Sequence, residues 1–154
     1  MSWIIEINNL TTSSVDEEWV RQIARAVLRG EKKDNAALSV AFVGQGRMRQ
    51  LNKKYLKKNR TTDVLAFPEP QLKTDRQKPA PAQNKYIGEI IISTRDVKKN
   101  ARRYNAPYEQ DLAHVIIHGI LHLLGYDHEK SEKEAKKMFE RQAYYLAQLN
   151  PKRK

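Results

Sequence analysis

The chain of 154 residues contains no cysteine, which excludes disulfides, thiolate nucleophiles and cysteine-type zinc sites together. Any metal ion must be held by His, Asp or Glu, and a reducing, cytosolic setting is compatible with this composition. Long apolar runs are missing too. The longest, Val115 to Leu124, is broken by two histidines and falls far short of the ~18 residues a membrane-spanning helix needs. Before the short apolar run of Met1-Ser-Trp-Ile-Ile-Glu-Ile-Asn there is no basic region, so this segment reads as a first strand and not an export signal. Acidic residues are also in deficit, 18 against 29 Lys+Arg, leaving a formal net charge of +11. That balance favours a polyanionic partner, because phosphate contacts release counterions. RNA, DNA and an anionic membrane surface all satisfy it.

What is present suits one globular domain, with 40% hydrophobic residues and a length that leaves no room for a second full domain. Residues 1–150 are expected to form it, and Pro151-Lys-Arg-Lys a basic tail. Trp3 to Asn8 reads as a strand. Ser14-Val-Asp-Glu17 has the form of a capping box opening a helix with Val20, Ile23, Ala24 and Val27 on one face, closed by Gly30. Leu38, Val40 and Phe42 alternate with Ser39, Ala41 and Val43 in a second strand. Gly44 to Gly46 then turn into a helix with Met48, Leu51, Asn52 and Tyr55 on one side. Asp63 to Pro68 and Ile87 to Ile92 are further strands, separated by a proline-rich stretch, Glu69 to Asn84, with the composition of a long loop.

Three helices follow. Ser93 or Thr94 caps the first, which runs through Tyr104, and the second starts at Pro107 and ends at Gly125. From Val115 onward the second is apolar nearly all round, the pattern of a central helix covered on several sides. Ser131 to Glu134 cap the third, with Ala135, Met138, Phe139, Gln142, Leu146 and Leu149 at helical spacing. The predicted fold is α+β, a small mixed β-sheet packed with helices around a central metal-binding helix; strand order does not follow from local pattern.

All four histidines, His114, His118, His122 and His128, fall within fifteen residues. His118 and His122 are four apart, so on a helix they project from one face about a turn apart, within reach of one ion. Gly125 can end that helix in a left-handed conformation and let the chain double back, bringing His128 toward the same point. Three neutral imidazoles and a water make an open tetrahedral zinc site. Buried imidazoles without partners would cost on the order of 1 to 3 kcal/mol each, and a shared metal removes that cost. The spacing of His118, His122, Gly125 and His128 is also that of metzincin peptidases, in which a Glu follows the first His as general base. Here Gly119 stands in that position and cannot take a proton, which counts against a metallopeptidase. A mid-helix glycine costs about 1 kcal/mol relative to Ala, so it implies space beside the metal, close backbone approach or helix-helix packing.

The segment His118-Gly-Ile-Leu-His-Leu-Leu-Gly-Tyr-Asp-His128 resembles the signature of the YbeY endoribonucleases, bacterial metalloproteins of rRNA maturation. Asn52-Lys-Lys-Tyr55 followed by Thr62-Asp-Val-Leu-Ala-Phe-Pro68 is similar to a second element of that family, and Gly88-Glu-Ile90 to a third. The resemblance implies an α+β fold, His118, His122 and His128 as ligands of one zinc ion, and cytoplasmic cleavage of single-stranded RNA. It further implies the 3′ end of small-subunit rRNA as substrate, with roles in ribosome biogenesis and quality control. The competing functions are a metallopeptidase-like hydrolase and a non-catalytic ribosome-associated RNA-binding factor with structural zinc. Where the family has Arg after that Tyr, this chain has Leu56; Lys57, Lys58 or Arg60 can supply charge nearby, but not a guanidinium fork at that position.

From Arg47 to Arg60 there are seven basic residues and no acid, with Arg49, Lys53, Lys57 and Arg60 at helical spacing. This stripe is the expected RNA-binding face, Lys53, Lys57, Lys58 and Arg60 above all. Arg95, Lys98, Lys99, Arg102 and Arg103 form a second stripe that reads equally well as a solvated helix face. Beside the ligands, Asp127 can either accept the free N–H of a liganding imidazole or cap the turn after Gly125. His114 lies near the site, one turn before His118 and off the ligand face.

Overall fold

The computed structural model describes residues 2–56, 62–68 and 84–149. The Glu69 to Asn84 loop, apart from Asn84, lies outside them, as do Lys57, Lys58, Arg60 and the tail at 151–154. Strand β2 (Ala36–Val43) is buried at every position, which requires cover on both faces. On one face Leu38, Val40 and Phe42 join Ile90 and Ile92 in the main core under the helices; on the other, Ala41 and Val43 join Ile91, Leu65, Met48 and Leu51 in a smaller core. The small Ser39 and Ala41, which alternate with Leu38, Val40 and Phe42, are thus interior residues as well.

The sheet has the order β1-β2-β4-β3, from β1 (Ile4–Asn9), β2, β4 (Lys85–Ser93) and β3 (Val64–Pro68). β1 and β4 run parallel to β2, and β3 runs antiparallel to β4, so the sheet is mixed as predicted. Its β2/β4 register slips by one residue between Ala37 and Leu38, opposite Gly88 at φ +141, a conformation and a crowding that favour glycine. A Cβ at Gly88 would collide with the carbonyl oxygen of Phe67 on β3.

Helix α1 (Glu17–Gly30) is capped by Asp16, whose side chain accepts the Trp19 N–H, and not by Ser14. Asp16 stands immediately before the helix, three residues ahead of the amide it satisfies. Helix α2 (Gln45–Leu56) covers the smaller core. Ser93 caps α3 (Thr94–Arg103), while α4 (Tyr108–Leu123) starts after Pro107. α4 is the central helix, in contact with α1, α3, β3, β4 and α5 (Glu132–Leu149), which accounts for its nearly unbroken apolar surface. α5 buries Met138, Gln142 and Tyr145; the predicted Phe139 is 67% exposed and Tyr145, unmarked by the pattern above, is 1% exposed. Gly30 explains the exchange, since a Cβ there would run into the Tyr145 ring. No helix of the described residues is long and apolar enough to cross a membrane.

Candidate metal centre

The i,i+4 spacing on α4 sets the rings of His118 and His122 side by side, centroids 4.6 Å apart. Their Nε2 atoms face each other at 3.1 Å. Leu123 ends the helix, Gly125 takes φ +104, and the chain turns back so that His128 stands 5.3 Å from His118 and 5.2 Å from His122, centroid to centroid. One nitrogen from each of the three histidines falls within 4.8 Å of the others, a triad that can hold a metal ion. The 3.1 Å separation is close to the about 3.3 Å edge of a tetrahedron built on metal–nitrogen distances of about 2.0–2.1 Å.

The donor chemistry fits as well. Buried Gln142 on α5 places Oε1 2.5 Å from His118 Nδ1, so that Nδ1 carries the proton and Nε2 presents its lone pair. Burial, followed by the neighbouring imidazoles, pushes the His118 pKa down to about 4 despite the Gln142 bond. Burial and the nearby His128 likewise lower that of His122. Both rings are therefore neutral at pH 7, the form a metal ligand needs. A half-buried imidazole thus finds a side-chain partner in Gln142 even before a metal is considered. Gln142 lies 24 residues from His118, and only its position on the inward face of α5 hinted at it.

A second cluster fixes the loop that carries His128. Tyr126 Oη donates to Glu31 Oε1 at 2.7 Å; Tyr145 Oη and Arg141 Nε donate to Glu31 Oε2 at 2.6 and 2.9 Å. Burial opposes ionisation of Glu31, but the bonds from Tyr145, Tyr126 and Arg141 outweigh it and hold its pKa below the usual carboxylate value. The end of α1, the ligand loop and α5 are thereby joined through one anion. Asp127 is exposed, and its Oδ1 accepts the Glu129 amide at 3.0 Å, a turn-capping bond.

Around the triad lies a cavity of about 850 Å3, walled by Asn52 and Leu56 of α2, Asp63 and β3, and His114. Asn52 of one sequence block lines it together with Thr62 to Pro68 of the other, and the Tyr55 ring packs edge-on to Phe67 at 5.1 Å. Leu56 is 49% exposed at this cavity. Arg49 and Lys53 are exposed on α2, and Lys54 sits over the Tyr55 ring. Burial raises the pKa of Asp63, whose carboxylate accepts from Asn100 at 3.3 Å. Gly119 is pressed against the sheet: a Cβ would stand 2.9 Å from Ile90 Cγ2 and 3.4 Å from Val64 Cγ2. Close approach to strands, and not helix-helix packing, is the reason for glycine, and any side chain there would have to displace Ile90.

Comparison with known proteins agrees with this geometry. The family described as Endoribonuclease YbeY matches residues 5–150. Relatives named Endoribonuclease YbeY include those of Thermodesulfovibrio yellowstonii, 45% identical over 114 residues (74% of this chain, 67% of the relative), and Aquifex aeolicus, 34% identical over 141 residues (92% and 89%). A solution structure from Thermotoga maritima superposes with a TM-score of 0.65 at 34% identity, covering 93% of this chain and 87% of that one. With a family match over residues 5–150, relatives of this identity and a histidine triad that can hold a metal ion, the chain belongs to the YbeY family of endoribonucleases, metal-dependent nucleases acting on RNA.

Proposed function

We propose that the protein is a zinc-dependent, single-strand-specific endoribonuclease of the cytoplasm. Its natural substrate on this reading is precursor small-subunit rRNA near the 3′ end, with defective ribosomes as a second target. The observation that carries it is the three-histidine cluster opening into a cavity flanked by cationic α2. His118, His122 and His128 are the ligands of one zinc ion, whose Lewis acidity offsets the charge that builds on the phosphate during cleavage. Gln142 orients His118. Glu31, through Tyr126, holds the turn that presents His128. His114 offers an imidazole to the substrate from the cavity wall, and Asp127 stabilises the ligand turn. Lys53, with Lys57, Lys58 and Arg60 further along the chain, attracts the RNA backbone. Residues 1–150 form the catalytic domain, and 151–154 add basic charge.

The test is cleavage of a short RNA with single-stranded and paired segments, beside a peptide library. Chelation should abolish cutting of the single strand, zinc should restore it, and the peptides should stay intact. Undiminished cutting by folded, metal-free protein would overturn the zinc-dependent reading.

Leu56 supplies a sharper prediction. It faces the cavity half-exposed, so an arginine fits without emptying a core. Leu56→Arg should raise single-turnover cleavage about tenfold, because a charge-assisted hydrogen bond to phosphate is worth about 1.5–3 kcal/mol and is only partly realised in the transition state. An unchanged rate in a variant of normal melting temperature would show that the reacting phosphate does not pass residue 56.

A further inference from the structure

Beyond the triad cavity lies a second one of about 320 Å3 between α3 and α4, lined by Val97, Asn100, Tyr104, Asp111, His114 and Asp63. The two cavities share Asp63, His114 and Val115, so they meet at the wall beside the histidines. Tyr104 caps the end of α3 with its side chain 71% exposed, an aromatic ring that does little for the core. Asn100 lies one turn before it, on the same face of the helix. Lys99 and Arg103, also one turn apart and both exposed, flank that face, and Arg95, Lys98 and Arg102 continue the positive charge. An exposed ring, polar groups recessed beside it and cations along the rim are the components of a single-strand subsite. Bases stack on the ring, base edges meet the polar groups, and phosphates follow the charge.

We propose that this second cavity binds one nucleotide of single-stranded RNA flanking the cleavage point, with its base stacked on Tyr104 and its backbone along Lys99 and Arg103. This rests on the RNA-cleaving function proposed above. Among recessed groups, Asn100 keeps its carbonyl and one N–H beyond the bond it donates to Asp63, and the remaining acceptor capacity of the Asp63 and Asp111 carboxylates suits base amino or imino groups. α3 is thereby a binding surface and not merely a solvated helix face.

The test is binding of a fluorescein-labelled mixed-sequence single-stranded RNA to the zinc-loaded protein, followed by anisotropy, for Tyr104→Leu, Tyr104→Phe and the Lys99→Ala/Arg103→Ala double variant. Tyr104→Leu should weaken binding about tenfold, as expected when one base–aromatic stack is removed, whereas Tyr104→Phe keeps the ring and should bind like the parent. The double variant should flatten the dependence of log affinity on log salt by about 0.7 for each phosphate that is no longer neutralised. Equal affinity of the leucine variant and the parent, at unchanged melting temperature, would overturn the subsite while leaving the nuclease reading intact. A parent protein that neither binds nor cuts single-stranded RNA would overturn both. Weakening by the phenylalanine variant equal to that by leucine would replace stacking with a hydroxyl contact and overturn the stacking assignment.

Discussion

Replacing His122 by alanine should strip the metal from the protein and, with it, the activity. Two imidazoles remain, His118 held by Gln142 and His128 exposed on its loop, and two neutral ligands do not make the closed half of a tetrahedral site. Without the metal's charge, the loss of about 3 kcal/mol or more of transition-state stabilisation lowers cleavage by at least about a hundredfold. Stability should fall as well. A ligand present at about a hundred times its dissociation constant contributes about 2.7 kcal/mol to folding, equivalent to roughly 5–10 °C for a domain of this size. Elemental analysis and thermal melts on the same preparation test both parts. Stoichiometric metal in the purified variant would show that His122 is not a ligand.

A second large effect is expected at Gly119, although no chemistry is assigned to it. Gly119→Ala places a methyl 2.9 Å from Ile90 Cγ2, and Ile90 is fully buried in the main core with little room to yield. Overpacking of this kind costs about 1–3 kcal/mol. Gly119→Glu restores the peptidase pattern in letters, but its Cβ meets the same Ile90 and Val64 contacts, and a carboxyl group left in the partly enclosed site without a partner adds about 1–3 kcal/mol. The glutamate variant should therefore melt roughly 4–24 °C below the parent and hydrolyse no peptide. A normal melting temperature would mean that α4 can lift off the sheet at this point. Peptide hydrolysis would show that the cleft accepts a polypeptide.

The difference between what could be read from the sequence and what could not follows the range of the interactions. His118, His122 and the turn at Gly125 are set by helical period and one glycine, so the triad was legible, and the cap at Ser93 is equally local. Strand order was not, because β2 pairs with β4 across a connection of more than forty residues, and no local pattern encodes that partner. On α5 the helical pattern permits Phe139 or Tyr145 to turn inward. Gly30 and Glu31, more than a hundred residues away, decide for Tyr145. Gln142 escaped notice as an orienting residue for the same reason, since a glutamine on an apolar stripe carries no mark of the imidazole it will meet. The Ser14 to Glu17 box misled because Asp16, inside it, is a cap in its own right.

The dependence of the metal centre on α5 has a consequence in time as well as in space. Synthesis delivers the four strands by Ser93 and all three histidines by His128, yet Arg141 and Gln142, which brace the ligand loop and orient His118, come later. At about 5–20 residues per second, the delay from His128 to Gln142 is roughly 1–3 seconds. A nascent chain therefore carries its imidazoles before it can aim them. The orientation of His118 and the bracing of the ligand loop are complete only once α5 has been made and packed.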